Sequence, residues 1–210
     1  MIPNRRSVLR SVTTGLIIAA PFQAPAQHRK ETEEDVSPAE DLMREHGLLK
    51  RVLLIYGEIT RRIDARQDFP PEALSRSAGI IRHFIEDYHE KLEEQHLFPR
   101  FRKAGKLVDL VNVLEQQHKG GRVLTERIQH RSTASALKNS DERGSLREDL
   151  RLFIRMYEPH EAREDTVLFP ALHQIVSRHE YDSMGEEFEK KSTSYLARMA
   201  SRKMWLKSQA

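Results

Sequence analysis

From residue 37 onward, apolar positions recur at intervals of three and four and never alternate as in a strand, so the pattern predicts an all-α chain. The first helix opens on Ser37-Pro38-Ala39-Glu40, a capping box with proline at the first helical position. Its inward series is Leu42, His46, Leu49, Leu53 and Tyr56, and Pro70-Pro71 forbids continuation much beyond Asp64. A second helix is predicted from about Pro71 to about Lys103, with Ile81, Ile85, His89, Leu92 or Glu93, and His96 facing inward. After an Ala104-Gly105 turn, a third carries Leu107, Val111, Leu114, His118, Gly121, Thr125 and Ile128 on one face. The polar segment from Arg131 to Gly144 reads as a loop. A fourth helix, about Ser145 to Ser177, aligns Leu146, Leu150, Phe153, Tyr157, His160, Glu164, Val167 and Ala171. A weaker amphipathic stretch from about Tyr181 to Leu206 predicts a C-terminal helix.

The second and fourth helices contain a repeat. His89-Glu90-Lys91-Leu92-Glu93-Glu94-Gln95-His96-Leu97-Phe98-Pro99 aligns with His160-Glu161-Ala162-Arg163-Glu164-Asp165-Thr166-Val167-Leu168-Phe169-Pro170, with six of eleven positions identical and a seventh acidic in both. The preceding histidines keep step, since His46 lies 43 residues before His89 and His118 lies 42 before His160. A duplicated helical pair of this kind packs as a four-helix bundle, each pair burying the apolar face of the other.

Composition narrows the function classes. The chain of 210 residues has no cysteine, which removes disulfides, zinc fingers, iron–sulfur clusters and thiol nucleophiles. Its net charge of +3 comes from Arg5, Arg6 and Arg10; outside residues 1–26, basic and acidic residues balance at 32 each. That balance offers no electrostatic footprint for nucleic acid. Residues 1–26 hold a twin arginine at Arg5-Arg6, a short apolar centre at Leu16 to Ala20, and Ala24-Pro25-Ala26. This resembles a twin-arginine export signal, with cleavage expected after Ala26, export to the periplasm through the twin-arginine machinery, and no stable membrane insertion. The expected organisation is therefore signal peptide 1–26, lead-in 27–36, helical bundle 37–178 and C-terminal extension 179–210.

The ten histidines carry the chemistry. Residues four apart on a helix share a face, so His89 with Glu93 and His160 with Glu164 each present an imidazole beside a carboxylate. His46 and His118 add one imidazole each, and all six positions fall on the interior stripe. A buried unpaired carboxylate costs several kcal/mol unless it is protonated or meets a cation. Four imidazoles and two carboxylates at a bundle centre are therefore expected to hold metal, and the donor set suits iron, manganese or zinc. The count predicts two ions, one on His46 and His89, the other on His118 and His160, with Glu93 and Glu164 bridging. Of the remaining histidines, His28, His130, His173 and His179 are expected at the surface or hydrogen-bonded in the core, His83 and His96 are intermediate, and His96 is expected to flank the site.

Together, Arg44-Glu45-His46, the repeated H-E-x-x-E motifs ending in L-F-P, and Gln117-His118-Lys119-Gly120-Gly121-Arg122 resemble the hemerythrin-like proteins, the HHE cation-binding domains, across Asp41–Ser177. The resemblance implies an up-down four-helix bundle around a non-haem di-iron centre with an oxo or hydroxo bridge, liganded by His46, His89, Glu93, His118, His160 and Glu164. Two departures stand out. Oxygen carriers of this family have a second histidine where this chain has Arg122, and their fourth-helix carboxylate falls five residues after its histidine, which here is Asp165. The expected function is binding or sensing of dioxygen, peroxide or nitric oxide. The alternatives are a peroxidase or oxidase at the same centre, or a metal-handling module without turnover.

Overall fold

A computed structural model describes residues 36–208, so the expectations for the export signal and most of the lead-in lie outside the described residues. Helix α1 spans Pro38–Asp64, and the Ser37 hydroxyl accepts from the Glu40 amide as the capping box requires. Helix α2 runs through residues 71–104 and α3 covers Val108–Arg131. Helix α4 runs through residues 140–172 and α5 covers Arg178–Ser208. The fourth helix starts earlier than the polar composition of its first turn predicts. The Asn139 side chain accepts from the amides of Asp141 and Glu142, and this cap draws the segment into the helix. Among the described residues, no helix is long and apolar enough to cross a membrane.

Contacts between helices run antiparallel. Arg151 of α4 pairs with Asp64 at the end of α1, whereas Asp165 near the end of α4 meets His46 near the start of α1. Likewise, Arg102 of α2 pairs with Glu115 of α3, and Gln129 of α3 reaches the Ala78 carbonyl of α2. The result is the predicted all-α, up-down four-helix bundle. Helix α5 packs on α1 and on one end of the bundle, burying Tyr181, Met184 and Phe188.

Two apolar clusters fill the interior. One joins Leu42, Leu92, Phe98, Phe101, Leu114, Leu168 and Phe169 to the buried face of α5. The other contains Leu49, Tyr56, Ile81, Ile85, Ile128, Leu150, Phe153 and Tyr157. On α1, His46 lies between Leu42 of the first cluster and Leu49 of the second; on α2, His89 lies between Ile85 and Leu92. The histidines thus form a polar layer between two dry ones.

Helices α2 and α4 are not α-helical throughout. Segments Ile81–His89 and Glu93–Leu97 in α2, and Glu164–Leu168 in α4, have wider π-helical turns. The second and third of these lie 71 residues apart, the spacing of the sequence repeat, and each precedes the Phe-Pro of an L-F-P motif. Proline lacks an amide hydrogen and its ring crowds the carbonyl four residues back, so the helix widens just before Pro99 and Pro170. The widening corrects the predicted register. Val167 is 42% exposed rather than inward, and Leu168 is fully buried in its place. Leu97 similarly takes the core position that a uniform α-helix assigns to His96.

Gly121 lets α3 approach α4 closely, because a Cβ there would overlap the hydroxyl and ring of Tyr157. Gly144 has open space around it in the first turns of α4. Gly121→Ala is expected to destabilise the protein by about 1–3 kcal/mol through overpacking. Gly144→Ala is expected to stabilise it by roughly 0.5 kcal/mol, since it only removes backbone freedom. Chemical denaturation of both variants checks the contrast, and equal effects would contradict it.

Candidate metal centre

The six predicted residues converge. His46, His89 and Glu93 bring one potential ligand atom each within 4.8 Å of one another, and His118, His160 and Glu164 do the same. All six are at most 2% exposed. His46 and His89 face each other through Nε2 at 3.0 Å, and His118 and His160 at 3.2 Å. Two nitrogen donors bound at right angles to one ion about 2.1 Å away are separated by about 3 Å, so both pairs have the spacing of co-ligands.

The opposite edge of every ring is held. The Nδ1–H of His46 donates to Asp165 Oδ1 at 2.7 Å, and that of His118 to Glu94 Oε1 at 3.1 Å. His89 donates to Glu45 Oε2 at 2.7 Å, and His160 to Gln117 Oε1 at 3.0 Å. Carboxylate and amide oxygens only accept, so the hydrogen sits on Nδ1 and the Nε2 lone pair points to the centre. Phe169 stacks on His46 and Phe98 on His118, with centroids 5.6 and 5.5 Å apart, giving the phenylalanine of each L-F-P motif a matching role.

The two inner carboxylates, Glu93 and Glu164, have no such partners. All four oxygens of Glu93 and Glu164 are buried without a well-formed hydrogen bond from the protein. Their neighbours are imidazole nitrogens: Glu93 lies 3.8 Å from His89 Nε2 and 3.3 Å from His118 Nε2. Glu164 lies 3.4 Å from His46 Nε2 and 3.1 Å from His160 Nε2. Converging lone pairs and orphaned carboxylate oxygens are a donor set that fits a cation.

Without a cation, protons take its place. Burial opposes a charge on His46, but its bond to Asp165 and the adjacent carboxylates of Glu164 and Glu93 outweigh that and raise its pKa to about 10. His118 is raised as well, because the nearby charge of Glu90, the adjacent Glu93 carboxylate and the bond to Glu94 overcome burial. Burial lowers His89 to about 4, keeping it neutral opposite the charged His46. Glu164, although buried, is held ionised by His160 and His46.

An outer ring repeats the duplication. Arg122 Nη2 bonds Glu90 Oε2 at 2.7 Å and Glu94 Oε1 at 2.6 Å. In the other half, Lys50 lies 3.9 Å from Glu161 and 3.7 Å from Asp165. Tyr157 donates to the free oxygen of Glu90 at 2.8 Å. The sequence reading missed Glu45, Lys50, Glu90, Gln117 and Glu161. The repeat could have found them, because Glu90 and Glu161 are 71 apart and Lys50 and Arg122 are 72 apart. Asp165, weighed against Glu164 as the inward carboxylate, instead accepts from His46 Nδ1. His96 flanks the layer, 2.7 Å from Lys191 of α5. His130, His173 and His179 are exposed.

A helical bundle whose buried layer offers only lone pairs and carboxylates is a cation-binding bundle in type. The hemerythrin HHE cation binding domain family matches residues 37–172, and the chain belongs to this family. Uncharacterized proteins of Mycobacterium bovis and Mycobacterium tuberculosis are 54% identical to it over 159 residues, 76% of this chain and 62% of each of theirs. The chain therefore spans less than two thirds of the length of these relatives. No solved structure is a significant match.

The raised histidines set a pH dependence for the metal-free protein. A histidine whose folded pKa lies above the unfolded value of about 6.5 stabilises the fold most below that value. For His46 the gain is lost as pH rises toward about 10, and His118 acts in the same direction. Metal-free protein is therefore expected to unfold at a lower temperature at pH 9.5 than at pH 7. Thermal unfolding with chelator present tests this, and equal or higher stability at the alkaline pH would count against it.

Proposed function

We infer that this chain is a non-haem di-iron protein that binds or senses a small oxygen species: dioxygen, peroxide or nitric oxide. The observation that carries the reading is that all four imidazoles are locked through Nδ1, so that four Nε2 lone pairs and two unpartnered carboxylates face one layer. In this reading His46 and His89 hold one ion and His118 and His160 the other. Glu93 and Glu164 bridge, which their proximity to imidazoles of both halves supports. Two imidazoles and shared carboxylates per ion, with positions left open, are a donor pattern that non-haem iron uses for small oxygen ligands.

The protein's own part is to prepare that layer. Asp165, Glu94, Glu45 and Gln117 fix the rings and direct each Nε2 inward. Phe98 and Phe169, with the apolar clusters on both sides, exclude bulk water. Arg122, in the place where oxygen carriers have a further histidine, is tied to Glu90 and Glu94 and supplies no ligand, which leaves each half with two imidazoles.

Protein purified without added metal is expected to contain about two irons per chain and to absorb in the near ultraviolet and visible. His160→Ala or Glu93→Ala is expected to reduce the iron content severalfold, whereas His179→Ala at the surface leaves it unchanged. Full iron retention in both of the first two variants would remove the site assignment. We also propose that the chain is exported, a reading supported by Arg5-Arg6 and Ala24-Pro25-Ala26. Mature protein is then expected in the periplasmic fraction beginning at Gln27; cytoplasmic protein retaining residues 1–26 would refute export.

A further inference from the structure

The two halves of the histidine layer match closely around their rings, and one exchange among the groups that hold Nδ1 changes a charge. Glu45 and Gln117 occupy equivalent places, each immediately before the histidine of its helix and 72 residues apart. Each accepts Nδ1–H from a ring on the neighbouring helix: His89 to Glu45 at 2.7 Å, and His160 to Gln117 at 3.0 Å. The first acceptor is a carboxylate and the second a neutral amide. The other two Nδ1 acceptors, Asp165 and Glu94, are both carboxylates.

We propose that this exchange makes the halves unequal as cation sites, with the His46–His89 half binding more tightly than the His118–His160 half. The inference rests on the cation-binding reading of the layer and deepens it. An anionic acceptor at Nδ1–H pushes electron density to Nε2 and makes that nitrogen the stronger donor; an amide does so less. Glu45 is thus a positioning residue that acts through His89, and Gln117 its weaker counterpart acting through His160.

The wider charges act in the same direction. Beside His46 and His89 lie Glu45, Asp165 and Glu161, answered by Lys50, which is more than half exposed and no closer than 3.7 Å to their oxygens. Beside His118 and His160 lie Glu94 and Glu90, answered by Arg122 at 2.6 and 2.7 Å and, at Glu94, by Lys91 at 2.6 Å. The first half therefore has one more carboxylate and one fewer cation nearby, and its cation is more distant. In a buried layer such a difference is weakly screened.

The test is titration of metal-free full-length protein with cobalt(II) at pH 8 without oxygen, followed by calorimetry and visible absorption. Two ions are expected in two steps, the first about tenfold tighter, which is the size of effect such outer partners have. His89→Ala should remove the tight step and His160→Ala the weak one. Glu45→Gln should weaken the tight step about tenfold, and Gln117→Glu should strengthen the weak step by a similar factor, so that either brings the two together. A merely structural role for these side chains would not shift affinity in opposite directions at equivalent positions. Two equal steps in the unaltered protein overturn the proposal. So does a folded Gln117→Glu that leaves the weak step where it was, or, if that variant does not fold, a Glu45→Gln that leaves the tight step unchanged. No cobalt uptake at all overturns the cation reading itself, an outcome distinct from uptake in equal steps.

Discussion

The structure is organised around the burial of two carboxylates that the protein does not satisfy. Glu93 and Glu164 sit fully inside the bundle between two apolar clusters, and the nitrogens that approach their oxygens are those of His46, His89, His118 and His160. An arrangement of this kind is costly as a hydrogen-bonded core, because lone pairs face lone pairs. It becomes favourable when positive charge enters. Protons on His46 and His118 supply that charge in the metal-free chain, and a divalent ion held by the same residues would supply more of it. The deficit is a property of the fold, and the surrounding residues are arranged to maintain it.

Maintenance falls to a ring of residues that are themselves well partnered. Asp165 and Glu94 each accept from a histidine and are tied outward to Lys50 and Arg122. Glu90 is shared by Arg122 and Tyr157, whose hydroxyl reaches it because Gly121 has no side chain. The outer carboxylates are thus answered by cations toward the surface, which limits the cost of burying them, while the inner pair has no lysine or arginine partner among the described residues. The π-helical turns belong to the same arrangement. Widening the helix at Glu93 and Glu164 lets neighbouring acidic residues serve two purposes, one facing the centre and the next the back of a ring.

Duplication explains why so much of this was legible in advance. The heptad-like spacing, the caps and the proline breaks gave five helices in the right places, because each depends on interactions within a few residues. The repeat located His46, His89, Glu93, His118, His160 and Glu164, since matching positions in matching helices occupy matching places in the bundle. The same offsets also carried Lys50 with Arg122 and Glu90 with Glu161. These passed unnoticed because paired charges on a helix surface have the same pattern whether they face water or a buried ring.

Spacing along a helix was enough for the helical class, the order of the elements and the set of donors on the interior stripe. The register beyond the central motifs came from packing. Leu168 replaced Val167 in the core and Asp165 turned to the back of His46, because helix pitch near Pro170 responds to packing as well as to sequence. Packing also set Glu45 against His89 and Gln117 against His160, contacts that span 44 and 43 residues. Periodicity places a residue on a face. Which neighbour meets that face is settled when four helices close on one another.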